Sequence, residues 1–442
     1  RAGQSALRSM PRQVPRLTVQ FACVACWRQS HGLIPDRRRW CYRKCTTSRI
    51  ATTRHPVPWG CLTVELQNVS NMDSKYSLVD TTAILSPSML IFREIVERNL
   101  HKMVAIAGRA DRLRPHCKTH KMPAVTKIEL AMGITKHKCA TFAEAEMLAD
   151  CGVKDIFLAY NLVGPNISRA VKFMQKFPDV KFSVTADDAR MISALSSAMS
   201  TAGLTIGVLL DIDPGLHRTG VLPGPVAAEL YSRLIDYPGV EPVGFHLYDG
   251  HNHQTNLEER TAAVLTGWNA AARLRDDFVA RGWTVPSIVC GGTGSFPVFA
   301  KLNDPAIELA PGTCVFHDSG YGASFPDMDF EPAVLMLTRV ISRPAPDRLT
   351  CDLGNKSVAS DPPKGQRVVF PDLPGAEQVL HNEEHLVLQT PLASRYEPGD
   401  ELLAIPKHIC PTSALHKQAY VIEGGHVVDM WDVTARDRCL TI

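Results

Sequence analysis

From about residue 88 onward the chain alternates between two rhythms of apolar and polar positions. Short runs rich in β-branched and aromatic residues predict strands at 113–118, 136–141, 155–160, 181–186, 205–213, 242–250, 287–292 and 307–312. Between them apolar residues recur at helical spacing, as in 142–150 and the long stretch 257–281. Strands alternating with helices of this length need crossover connections, and eight is the number that closes a (β/α)8 barrel. An open doubly wound sheet is the competing α/β architecture. No Gly-x-Gly-x-x-Gly follows the first strand, however, which removes the main sign of a dinucleotide fold. After about residue 327 the rhythm changes. The segments 333–341, 348–352, 366–370, 385–389, 401–405 and 419–428 read as strands separated by Pro, Gly and Asp, so a β domain without repeats closes the chain.

Residues 1–72 stand outside this pattern. They carry 12 Lys and Arg against 2 Asp and Glu, which leaves 36 against 43 for the rest, although the whole chain has a formal charge of +3. The mildly acidic body argues against nucleic-acid binding, and no apolar run approaches the roughly 18 residues of a membrane span. A soluble protein with neither partner is expected. The first segment is Arg-rich and acid-poor like a mitochondrial transit peptide, but Trp27, Trp40, its prolines and five cysteines suit one poorly. We expect a mis-assigned start or disordered leader and a cytoplasmic protein, mitochondrial if the transit peptide is real. The spacing of Cys23, Cys26, Cys41 and Cys45 allows a small zinc site without any surrounding element to build it. The other eight cysteines are scattered singly, as in a reducing compartment.

Candidate chemistry collects where barrel strands end, which is where (β/α)8 proteins place reactive groups. The run Arg114-Pro115-His116-Cys117-Lys118-Thr119-His120-Lys121 puts a lysine between two imidazoles. In an extended segment His116, Lys118 and His120 would share a face. Cationic neighbours favour a neutral amine, and such an amine can form a Schiff base; a solvated basic strand edge is the alternative. Gly291-Gly292-Thr293-Gly294-Ser295 ends the seventh strand with exposed backbone N–H groups and hydroxyls, a pattern suited to phosphate. An imine-forming lysine with a phosphate cradle describes pyridoxal 5'-phosphate (PLP). Arg218 and Tyr248 follow the fifth and sixth strands and would face that cofactor. In the β domain His408 and Cys410 offer two metal donors two residues apart on an extended segment, with His381, Glu383, Glu384 and His385 as possible companions.

Arg-Pro-His-x-Lys-Thr-His-Lys, the Asp-x-Gly-x-x-Arg-x-Gly run at 213–220, the Gly-Gly-Thr turn and His-x-Cys-Pro-Thr together resemble the D-threonine aldolase and D-serine dehydratase family. The resemblance runs from about Tyr76 to Ile442. It implies a PLP-binding (β/α)8 barrel of the alanine racemase type over 95–326 and a metal-bearing β domain over 327–442, with residues 73–94 packing against the latter. It further implies Lys118 as the cofactor lysine, Arg218 near the cofactor's phenolic oxygen, Gly291, Gly292, Thr293 and Gly294 as the phosphate turn, and His408 with Cys410 as ligands of a divalent metal, zinc or manganese. A homodimer is implied as well.

The expected substrate is a D-3-hydroxy amino acid. In the aldolase reading the metal acidifies its 3-hydroxyl, His251 or His253 takes the proton, and Cα–Cβ cleavage yields glycine and an aldehyde. In the dehydratase reading Lys118 takes the α-proton and a 2-oxo acid and ammonia result. The Tyr-Asp-Gly-His run at 248–251 resembles the aldolase-like branch, whereas a cysteine at position 410 resembles eukaryotic D-serine dehydratase. The aldolase is placed first, the dehydratase second, and a non-catalytic PLP carrier third.

Overall fold

The computed structural model of the protein describes residues 74–442. The leader and its cysteine spacing lie outside the described residues. The first strand, β1 (Ser88–Phe92), runs into helix Arg93–Ala107 and belongs to the C-terminal sheet. Seven parallel strands follow: β2 (Lys136–Cys139), β3 (Asp155–Asn161), β4 (Lys181–Ala186), β5 (Ile206–Asp211), β6 (Val240–Leu247), β7 (Ser287–Cys290) and β8 (Ile307–Leu309), hydrogen-bonded in chain order. β5 is buried from end to end, as expected of a parallel strand covered on both faces. The crossover helices start at side-chain caps: Thr141 accepts from Glu144 N–H, and Asp188 and Asn256 accept from the first turns of Ala189–Thr201 and Leu257–Ala280.

The eighth expected strand, 113–118, is not a regular strand. It closes the ring by single parallel bridges, Leu113 to Leu309 and His116 to Lys138. Arg114 N–H donates to Leu309 O and His116 N–H to Pro311 O, while Lys138 N–H donates to Pro115 O. Pro115 has no N–H to give, so the ladder cannot be continuous here. After His116 the backbone turns into a 3-10 helix, Cys117–Thr119, with Lys121 N–H reaching back to Cys117 O. The expected shared face is lost in that turn. His120 is buried on the far side, where its Nδ1 accepts from Met122 N–H. Phe157, Leu209, Val289 and Ala310 form a core of their own, and Ala310 of this cluster lines the cavity described below.

The C-terminal strands are β9 (Val334–Ala345), β10 (Arg348–Cys351), β11 (Val368–Val369), β12 (Glu377–His381), β13 (Leu386–Gln389), β14 (Glu401–Pro406), β15 (Gln418–Glu423) and β16 (His426–Asp432). They form a mixed sheet in the order β12-β13-β10-β9-β1-β15-β16, with β14 also on β9 and β11 on β14. β1 sits in its middle, parallel to β15 and antiparallel to β9. The single strand expected at 419–428 is a hairpin. Gly424 and Gly425, at φ 56° and 82°, supply the two left-handed residues of a two-residue turn. Among the described residues no helix is long and apolar enough to cross a membrane.

Candidate active site

A cavity of about 520 Å³ opens at the C-terminal ends of the barrel strands, within the range of small-molecule sites. His116 caps the 3-10 turn, its Nδ1 accepting from Lys118 N–H at 3.4 Å, and Lys118 lines the cavity half-buried. The loop after β5 is shaped by Asp213, whose carboxylate accepts from Gly215 and His217 N–H and pairs with His217 Nδ1 at 2.8 Å. That loop carries Arg218 to the cavity, with its guanidinium carbon 4.7 Å from the Tyr248 ring centre. Lys118 Nζ lies 5.8 Å from the same ring.

Opposite lies the turn between β7 and helix Phe296–Ala300. Gly292 and Thr293 line the cavity, and Gly291 and Gly294 do not. A Cβ at position 294 would meet Phe325 at 2.4 Å, so this turn packs only with glycine there. Thr293 Oγ1 accepts from Gly312 and Thr313 N–H, which ties the turn to the segment after β8.

Sequence reasoning missed three further residues. Lys138 at the end of β2, His246 on β6 and Asp211 at the end of β5 all line the cavity and join in a chain. Lys138 Nζ is 2.8 Å from His246 Nε2, and His246 Nδ1 is 2.7 Å from Asp211 Oδ1. Burial, reinforced by Lys138, lowers His246 to about 4, so it is a neutral imidazole at pH 7. Burial opposes ionisation of Asp211, but the His246 hydrogen bond and the nearby cations outweigh it and hold the carboxyl below its usual range. The Lys138 ammonium is disfavoured, its pKa brought to about 7 by burial and then by Lys118. The legible signal was period two: each of these side chains points inward at a strand end.

His251 and His253 do not line the cavity. Both are exposed, and the His253 ring instead stacks on Phe325 at 6.5 Å. The reason is the turn before them: buried Asp249 accepts from Ser295 Oγ and Asn252 Nδ2, which fastens 249 and 252 inward and leaves 251 and 253 outside. The imidazole at the cavity wall is instead His116, buried and held well below its usual pKa by burial and then by Lys118.

His408 and Cys410 are not on a strand. His408 is the extended residue before helix Ile409–Leu415, and Cys410 lies in its first turn. Cys410 Sγ is 3.2 Å from Thr119 Oγ1 and 3.5 Å from Thr313 Oγ1. Burial works against the thiolate, but hydrogen bonds from His408, Thr119 and Thr313 prevail and lower its pKa. His408 Nδ1 is 2.5 Å from Asp361 Oδ2, and the acidic pair raises the imidazole to about 9 against the effect of burial. The imidazole, oriented by Asp361, and the thiol are two donors of types suited to a divalent metal of the zinc type. The companions suggested from sequence do not join them: His381 bonds Arg367 and Leu353 O, and Glu383, Glu384 and His385 are exposed. Among the described residues His116, Cys117 and Glu144 also have possible ligand atoms within 4.8 Å of one another. That carboxylate is already engaged by Lys121, the Ala140 N–H and the Cys117 thiol.

The cavity suits PLP on its own chemistry. Lys118, Lys138 and Arg218 face it against one lining carboxylate, Asp211, so it favours an anion, and Lys118 offers an amine to an aldehyde. Comparison with known proteins gives the same answer. The "Alanine racemase, N-terminal domain" family model matches residues 92–318, and a second model of the serine dehydratase type matches 333–422. A D-threonine aldolase from Arthrobacter sp is 34% identical over 356 residues, 79% of this chain and 92% of that protein. The chain belongs to the D-threonine aldolase and D-serine dehydratase family. With this family come its reaction class and cofactor: the chain is a PLP-dependent lyase. A 3-hydroxy-D-aspartate aldolase from Paracoccus denitrificans (strain Pd 1222) is 27% identical, covering 81% of this chain and 94% of its own. Among solved structures in the family, D-threonine aldolase from Filomicrobium marinum superposes with a TM-score of 0.74 at 30% identity, covering 80% of this chain and 96% of that one. D-threo-3-hydroxyaspartate dehydratase from Delftia sp. HT23, at 21% identity and a TM-score of 0.72 over 79% of this chain and 97% of that one, shares the fold.

Proposed function

We propose that the protein is a D-threonine aldolase-like lyase that cleaves D-3-hydroxy amino acids to glycine and an aldehyde, using PLP and a divalent metal. One observation carries this reading: the turn Cys117–Thr119 joins two chemistries. Lys118 faces the cavity, and the next residue, Thr119, touches Cys410 at 3.2 Å. An amine for the cofactor and a donor pair for a metal are thus adjoined through one turn, as a reaction at both Cα and the 3-hydroxyl would need. The names of the aldolase relatives support the same substrate class.

PLP held through Lys118, with Arg218 and the Gly292-Thr293 backbone around it, would supply an electron sink for the pair left on Cα. A divalent cation held by His408 and Cys410 would supply Lewis-acid polarisation of the alcohol oxygen. The chain's own groups do the rest. His116, neutral and with Nδ1 accepting from the Lys118 N–H, carries its hydrogen on Nε2 and can donate it in a hydrogen bond to a substrate oxygen. Lys118, whose side chain lines the cavity, is the near group that would return a proton to Cα. Tyr248 and Tyr321 wall the cavity and limit access of water to it.

Cys410 favours a second reading, a dehydratase acting on the same substrate class, because a cysteine at this position resembles eukaryotic D-serine dehydratase. Incubation of the PLP- and metal-loaded protein with D-threonine and D-serine separates them. Glycine and acetaldehyde are expected; a 2-oxo acid with ammonia would replace the aldolase by the dehydratase, and no turnover of either would remove both. His408→Ala is expected to bind PLP normally and lose at least about tenfold in metal affinity, measured by metal analysis after dialysis against graded chelator. Unchanged metal content would take His408 out of the site.

A further inference from the structure

Lys138 is 3% exposed, faces the cavity, and is matched by no carboxylate of its own. Its direct partner is His246 Nε2, and Asp211 stands behind that imidazole. A carboxylate only accepts, so His246 carries its hydrogen on Nδ1 and turns a lone pair toward the lysine. Every wall around Lys138 adds to the balance. Asp211 comes from β5, His246 from β6, Cys290 from β7, His116 and Lys118 from the closing segment, and Arg218 from the loop after β5. The Phe157 ring lies at 5.8 Å and the Tyr248 ring at 5.6 Å. Three cationic side chains thus share a buried space with one carboxylate that is already hydrogen-bonded to an imidazole.

A third charge in such a space is disfavoured until an anion arrives to oppose it. Consistent with that geometry, burial and then Lys118 bring the Lys138 amine to about 7, leaving it only partly protonated at neutral pH. The His246 lone pair offers the ammonium one hydrogen-bond acceptor, and an entering phosphate or phenolate would offer another.

We propose that Lys138 is a further cofactor-binding residue, which takes up a proton from solvent as the anionic cofactor enters and is held as an ammonium by His246 and Asp211. The proposal rests on the reading that this cavity binds PLP at Lys118. No bond other than N–H is made or broken: one proton passes from buffer to Nζ.

The test uses 4-deoxypyridoxine 5'-phosphate, which carries the cofactor's phosphate and phenol but no aldehyde, so that no bond to Lys118 contributes. Titration calorimetry at pH 7 in buffers of different protonation heat counts the protons taken up on binding. Wild-type protein is expected to take up as much as about half a proton more than Lys138→Arg, whose charge is fixed. The arginine variant is expected to bind within a few-fold of wild type. Lys138→Met is expected to bind at least about tenfold more weakly and to lack the extra uptake. Equal proton counts in wild type and Lys138→Arg would overturn the proposal, whether or not Lys138→Met folds. Full affinity in a folded Lys138→Met would overturn it too. Failure of wild-type protein to bind the probe at all would instead overturn the cofactor reading, and the proposal with it.

Discussion

Lys118→Ala is expected to abolish the covalent hold on the cofactor and to lower turnover by at least about a thousandfold, since one side chain supplies both the anchor and a proton carrier. The fold should survive. Lys118 is half-buried and points into the cavity, so its removal leaves no hole in a packed core, and the unfolding temperature should stay within about two degrees of wild type. The decisive measurement is independent of activity. Borohydride reduction of the PLP-loaded wild type, followed by digestion and mass spectrometry, should place the pyridoxyl mass on the peptide containing Lys118. The alternative is concrete, because Lys138 opens on the same cavity and burial disfavours its ammonium. An adduct on Lys138, or one that persists in Lys118→Ala, would reverse the assignment.

The second large effect concerns the seam where the barrel closes. Arg114 is buried; its Nη1 lies 2.7 Å from Asp155 Oδ1 and its Nε 2.5 Å from Glu308 Oε2, while Lys136 Nζ lies 2.9 Å from Glu308 Oε1. These pairs bridge β8 to β2 and β3 at the place where only two single bridges hold the closing segment. Arg114→Met keeps much of the length and removes the charge, leaving two carboxylates in a largely buried setting. A loss of about 3–5 kcal/mol is expected, read by denaturant unfolding at pH 7. The loss should shrink on acidification. Burial raises the Glu308 pKa, but Arg114 and Lys136 more than reverse this, so the folded value lies below the unfolded one. Its contribution is therefore present above the unfolded pKa of about 4.3 and disappears as pH falls through the lower folded value. A loss that does not diminish by pH 3 would mean that packing, not charge, makes Arg114 necessary.

Much of the architecture was legible along the chain because its cause is local. Inward and outward positions alternate along a strand and recur every third or fourth residue in a helix, and seven of the eight expected barrel strands lie where that alternation runs. The eighth did not, because Pro115 interrupts donation and Lys121, at φ 55°, turns the backbone away. The same turn decides that His120 faces Met122 and that Lys118 faces the cavity, a choice that spacing alone reversed for one of the two imidazoles. The histidine pair after β6 was misleading for a related reason. His251 and His253 occupy the right part of the barrel, but Asp249 and Asn252 take the inward positions of their turn.

Motif positions, the order of strands and helices, and the amine, glycine turn and thiol needed for the chemistry all follow from residue types at short separations, where backbone geometry leaves few choices. The charge balance inside the cavity does not. Lys138 and His246 meet across 108 residues, His246 and Asp211 across 35, and Thr119 and Cys410 across 291. Lys138, His246 and Asp211 are unremarkable in their own stretches of sequence, and their protonation depends on how many other charges share their buried surroundings. That number exists only once the barrel has closed, because desolvation and Coulomb interactions act through space and not along the chain.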